Sequence, residues 1–207
     1  IAHIYKHVGD YSKAIEMEES ALAFYNDLND GRSRESSLYS LGHMYFDAGR
    51  FDESLKSFTK GLELARKTKL KDSISSGCNR IGAIYYEIGD YNKAVEFIEE
   101  AIKLNGEIGR DLHKKVSMLE LFACYKNLNK EFDLQKIKEL EKEDFIKNLD
   151  CRDTFLFYIV SGNEKHLKTA YELLFKNAEN IEEAHKSKYF EFPNSKRIIE
   201  EYNKVFQ

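Results

Sequence analysis

With one proline and eleven glycines in 207 residues, the chain has almost no backbone breakers. That scarcity favours long helices over strands and irregular loops. Cysteine is scarce as well: Cys78, Cys124 and Cys151 stand apart, and an odd count without paired spacing supplies neither a disulfide framework nor a zinc site. Free buried thiols belong to a reducing compartment, so the cytoplasm is the expected location. No apolar run approaches the roughly 18 residues of a membrane span, and no signal peptide is visible, so a membrane is not an expected partner. Neither sign of charge dominates: 32 basic and 36 acidic residues are interspersed, for a net charge of -4. Without a basic stripe, nucleic acid is not an expected partner either. The short motifs of catalysis are missing too. There is no GxSxG, no P-loop, no HExxH and no GxGxxG opening a helix. No catalytic residue or cofactor is therefore assigned, and an enzyme is not expected.

What the chain does have is an internal repeat, the feature to seek first in a sequence of this kind. Gly9-Asp10-Tyr11-Ser12-Lys13-Ala14, Gly49-Arg50-Phe51-Asp52-Glu53-Ser54 and Gly89-Asp90-Tyr91-Asn92-Lys93-Ala94 align without gaps. The same register gives Ile1-Ala2-x-x-Tyr5, Leu41-Gly42-x-x-Tyr45 and Ile81-Gly82-x-x-Tyr85 upstream, and Ala21-Leu22, Gly61-Leu62 and Ala101-Ile102 downstream. Each block has a physical reading. A large residue followed by a small one lets a second helix approach closely. Gly9, Gly49 and Gly89 suit the left-handed position that ends a helix. Asp10 and Asp90 can cap the helix that follows. The aromatic at Tyr11, Phe51 and Tyr91 plugs the gap between the two helices of a pair.

These motifs resemble those of the tetratricopeptide repeat family, with a period of about 40 in place of the common 34. The proline that usually closes the second helix is absent, so both helices should be longer. The longer spacing is similar to that of tetratricopeptide domains in G-protein-signalling scaffolds and bacterial peptide-sensing regulators. The resemblance implies an all-α fold, a right-handed α–α superhelix of stacked helix pairs with a C-terminal helical cap. First helices are expected near 1–8, 33–48, 73–88 and 111–128, with partners near 11–28, 51–68, 91–107 and 131–147. The fourth copy is degraded. Leu121-Phe122-x-x-Tyr125 has Phe for Gly, Asn129 replaces the turn glycine, and Phe132 falls one residue late. Residues 1–148 thus read as the array, its first repeat truncated, and 149–207 as a further helix pair with capping helices. Tyr171, Leu173-Leu174, Ala178, Ile181, Tyr189-Phe190 and Pro193-Asn194 resemble the tails of large bacterial multidomain signalling proteins. Together with a start at Ile1 inside a repeat, this makes a fragment of a longer polypeptide the expectation.

In the family, first helices line a concave groove. The positions facing it here are Tyr39, Ser40, His43, Phe46, Asp47, Asn79, Arg80, Ala83, Tyr86, Glu87 and Lys126, with His3, Lys6, His7, Ser36, Ser76, Leu119, Glu120, Ala123 and Asn127 in the same register. Aromatic anchors beside polar readers of backbone suit an extended or helical peptide. Ala83 removes bulk where His43 supplies it, which places a hollow between Tyr39, His43, Arg80 and Tyr86. Arg80 carries five donors and no acceptor and needs an anion or carbonyl partner; Asp47 and Glu87 are candidates to hold it in the free protein. The aromatics can equally pack between repeats. His3 and His7 share a helical face but lack a third metal ligand, and the acidic clusters on second helices read as solvated faces. The functional expectation is a protein- or peptide-binding module, the regulatory or scaffold part of a larger signalling protein. The alternative is a structural spacer that self-associates.

Overall fold

In a computed structural model, residues 1–207 are described throughout, the side chain of Glu143 excepted. Among the described residues there are thirteen helices and no strand, and no helix is long and apolar enough to cross a membrane. Three and a half helix pairs come first: α1 (Ala2–His7) with α2 (Tyr11–Asp27), α3 (Gly31–Asp47) with α4 (Phe51–Thr68), α5 (Lys71–Glu87) with α6 (Tyr91–Glu107), and then α7 (Asp111–Asn127).

The punctuation of these helices follows from the sequence. Gly9, Gly49 and Gly89 adopt φ of 90°, 73° and 84°, and Asn129 takes their place in the fourth copy with φ of 53°. Asp10 and Asp90 cap the next helix, each accepting a hydrogen bond from a backbone amide three residues on, Lys13 and Lys93. Close approach within each pair uses the small residues. A Cβ added to Gly42 would lie 2.6 Å from the Phe58 ring, and one added to Gly82 would lie 2.6 Å from Ile98 Cγ1. Ser54 sits where Ala14 and Ala94 sit and donates to the Gly42 carbonyl at 2.7 Å. The resulting core runs from repeat to repeat: Ala14, Leu41 and Met44, then Phe58, Leu62, Ile81 and Ile84, then Ile98, Leu119 and Phe122. Each repeat buries most of its apolar face against its neighbours, the energetics of a solenoid.

The fourth pair departs from expectation. No continuous helix spans 131–147; a short α8 (Leu134–Leu140) is followed by a single turn, α9 (Glu143–Ile146). The late Phe132 is the reason. It still stacks on Phe122, with ring centroids 5.6 Å apart, but reaching it keeps residues 130–133 out of the helix, and α8 starts only where Asp133 caps it. The array then resumes with α10 (Cys151–Ser161) against α7 and with α11 (Glu164–Ala178) against α10.

The last two helices turn back. In α12 (Glu183–Glu191) and α13 (Pro193–Phe206), Pro193 opens a helix as its first residue, where its missing N–H and fixed φ cost nothing. α13 buries Ile198 with Phe155, Leu167 and Leu174. Its start, with α12, meets the turns that end the first helices. Phe192 lies edge-on to Tyr11 at 4.9 Å, the Glu182 amide donates to the Val8 carbonyl, and a Cβ on Gly49 would strike Pro193 at 2.8 Å. The C-terminal region thus returns along the chain's own first-helix face.

Candidate ligand groove and cavity

The positions expected to face the groove share three fates. Tyr39, Phe46, Ala83 and Tyr86 belong to the packing between helices and repeats and wall no hollow. The Tyr39 hydroxyl donates to the Ser73 carbonyl at 2.8 Å, and its ring lies against Gly61 and Gly77. Those two glycines make the room for it, so aromatic bulk on one helix is matched by absent side chains on the next two. Phe46, Ala83 and Tyr86 are buried. Phe46 packs on Phe51 and Tyr86 on Tyr91, the aromatic plug of each pair. The expected hollow between Tyr39, His43, Arg80 and Tyr86 is therefore not formed as such.

A second set is engaged in ion pairs. Asp47 binds Lys6 at 2.7 Å and Glu87 binds Arg197 at 2.8 Å, so neither carboxylate is free to hold Arg80. Lys126 is exposed and reaches the Ile159 carbonyl of α10. Glu87 is the centre of a buried charge cluster that sequence reasoning did not find. Arg152, second residue of α10, lies 3.5 Å from Glu87 and 2.8 Å from Glu120, with its guanidinium 5.5 Å from the Phe46 ring centroid. The side chains of Glu87 and Glu120 are 3% and 2% exposed. Charges held this far from water require such pairing. The cluster fills one stretch of the groove with the chain's own α10 and α13.

The third set stays open. His43, Asn79 and Arg80 line one cavity of about 280 Å³, together with Ser76, Asn105, His113, Ser117, Glu120, Asn148 and Asp153. The register explains most of it, since Arg80 and Glu120 recur at the Ser40 position of successive first helices. Ser40 itself lines a separate serine-rich hollow with Ser33, Ser36 and Ser37. Asn105 comes from a second helix and Asp153 from α10, and neither carried a sequence signal.

The electrostatics of this cavity are uneven. Asn79 Nδ2 donates to Ser117 at 3.0 Å and to Glu120 at 2.6 Å, and Glu120 passes the chain of contacts to Arg152. His43 lies edge-on to Phe58 at 5.1 Å. Burial, and then the charge of Arg80, push its pKa down to about 3, so it is a neutral imidazole at ordinary pH. His113 is lowered in the same direction by burial, Arg110 and Arg80. Its Nε2 lies 2.8 Å from an Arg110 nitrogen; arginine can only donate, so Nε2 accepts and the ring proton sits on Nδ1. Asp153 is pushed up to about 7, by burial first and then by Asp150. Arg80 makes no hydrogen bond or close ion pair with any described residue, although its charge is felt by His43, His113 and Asp153. The Oδ1 of Asn105, a residue 2% exposed, has no partner either. His3 and His7 line a different hollow beside Tyr11 and Ile181, and no metal-type cluster of three side chains forms among the described residues.

Comparison with known proteins agrees with this architecture. Residues 33–107 match the family model described as Tetratricopeptide repeat. The outer dynein arm-docking complex subunit 4 of Xenopus laevis is 29% identical over 119 residues, which is 57% of this chain and 22% of that protein. The Arabidopsis thaliana protein Kinesin Light Chain-Related 1 is 24% identical over 180 residues, 79% of this chain and 29% of that one. The chain thus spans less than a third of the length of either relative. Among solved structures, the apo form of RapI superposes with a TM-score of 0.71 at 15% identity, covering 97% of this chain and 82% of that one. The tetratricopeptide-like repeats of a Podosopora anserina putative kinesin light chain give 0.60 at 20% identity, covering 86% and 90%. At these identities the structures speak for the fold, a tetratricopeptide-like helical solenoid.

Proposed function

We propose that this solenoid is a protein- or peptide-binding module, the regulatory or scaffold part of a larger signalling protein, working in the cytoplasm. The observation that carries the reading is Arg80: a guanidinium on a first helix, lining a cavity, with no hydrogen bond or close ion pair among the described residues. A buried or half-buried cation without a partner costs free energy that a ligand carboxylate or carbonyl recovers. Asn79, His43 and Ser76 stand beside it as hydrogen-bonding groups. Two relatives carry names of assembly proteins, a docking-complex subunit and a kinesin light chain relative, which supports binding over catalysis and protein over nucleic acid as the partner.

The test is capture of partners by the intact chain, with Arg80→Gln and Asn79→Ala run in parallel. Retention by the wild type that is lost in both variants supports the reading. Retention unaffected by either change contradicts it. A second reading, a self-associating spacer, draws on Phe24 and Leu28, which are 58% and 60% exposed near the end of α2. Light scattering that shows a monomer at high concentration removes it.

A further inference from the structure

The cavity at Arg80 is small and is lined by groups of both signs, Arg80 against Glu120 and Asp153. Arg80 supplies a cation without a close partner. Asn105 Oδ1 is an acceptor with no donor, on a residue that is 2% exposed. Asp153, from the start of α10, brings a carboxyl whose pKa burial and Asp150 raise, against the opposing charges of Arg152 and Arg80. Among the described residues its side chain pairs with Arg152 at 3.3 Å, and that guanidinium is already shared with Glu120 and Glu87. His43 and His113 are neutral and add no charge. Apolar lining is confined to Leu112 and Val116.

The shape of the space limits what enters. The neighbouring stretch of groove is filled by Arg152, Glu87 and Arg197, and Asn148 and Asp153 bring the α9–α10 connection across this part of the groove. A volume of about 280 Å³ takes a residue-sized molecule, not an extended peptide. A molecule that satisfies Arg80 needs a carboxylate. One that satisfies Asn105 and Asp153 needs N–H donors with positive charge, within a residue's length of that carboxylate.

We propose that the Arg80 cavity binds a free α-amino acid, with its carboxylate on Arg80 and its ammonium toward Asn105 Oδ1 and Asp153, in competition with the groove's peptide partner. The proposal rests on Arg80 being a ligand anchor and adds the class of small molecule that regulates access to it. The amino acid offers each unmatched group in the cavity the complement it lacks, and Leu112 and Val116 are placed to meet a modest apolar side chain.

The test is isothermal titration of the intact chain with each of the common free L-amino acids at millimolar concentration, followed by the N-acetyl and α-amide forms of the tightest. Binding by at least one free amino acid is expected. Each blocked form should bind about ten-fold or more weakly, the usual effect of removing one charged hydrogen bond. Arg80→Gln and Asn105→Leu should each reproduce such a loss. An N-acetyl form that binds as well as the free amino acid overturns the proposal and leaves Arg80 as a carboxylate anchor. An α-amide that binds as well, or Arg80→Gln without effect, overturns the proposal and the anchor together. If no free amino acid binds, the proposal fails, and capture of protein partners by wild type against Arg80→Gln then decides the fate of the groove reading separately.

Discussion

At the scale of single residues, the molecule is legible where a backbone conformation or a close contact demands one residue type. Gly42 and Gly82 could be placed against a second helix from the Leu-Gly and Ile-Gly pairs alone, and both lie where a Cβ would collide. Gly82→Leu should cost about 1–3 kcal/mol by overpacking against Ile98, read as a lower midpoint in urea denaturation. An unchanged midpoint would mean that α5 and α6 do not cross there. Asp153 is the opposite case, a residue whose behaviour depends on neighbours no motif announces. Its pKa of about 7 lies above that of an ordinary aspartate, near 3.9, so the folded state holds a proton that the unfolded chain has released. Asp153 therefore lowers stability progressively as pH rises from about 4 to 7. Asp153→Asn should remove that slope and gain on the wild type toward pH 7. Denaturation curves at several pH values that run parallel for the two proteins would show that Asp153 titrates normally.

At the scale of elements, the ends of α2 to α7 fall within about two residues of expectation, most of them where glycine, asparagine or aspartate acts over one helical turn; the α4–α5 turn instead uses Lys69 at φ of 58°. The late Phe132 marks the longer turn before α8, whereas the break between α8 and α9 carries no local signal and the helical periodicity runs through it. The sequence leaves open whether the aromatics of the first helices face the groove or pack between repeats. Tyr39 is drawn inward because Gly61 and Gly77 make room for it, and that room is visible only once the next two helices are in place. The contact that fixes α10 to the array is Arg152 between Glu87 and Glu120. Arg152→Ala leaves the buried Glu120 without its cation, while Glu87 keeps Arg197, and should cost about 3 kcal/mol. Chemical denaturation measures the loss, and native-state hydrogen exchange should locate its first effect in α10 and the 146–151 connection. A loss below about 1 kcal/mol would mean that water reaches these carboxylates and the cluster is not sealed.

At the scale of the whole molecule, the surprise is the return of the C-terminal helices onto the first-helix face. Arg197 and Glu87 are 110 residues apart in sequence, and no local pattern records a pairing at that distance. The family resemblance led to an open groove. The structure gives a groove partly closed by its own chain, with a cavity left beside Arg80. That closure narrows the functional question to a single side chain. Arg80 has no hydrogen-bond or close ion-pair partner to lose among the described residues, so a change there should spare the fold and remove the function. The decisive measurement pairs binding with melting for Arg80→Gln against wild type. Binding of a captured partner should fall about ten-fold or more while the melting temperature stays the same. A variant that melts earlier yet binds its partner undiminished would make Arg80 a structural residue and place the ligand site elsewhere.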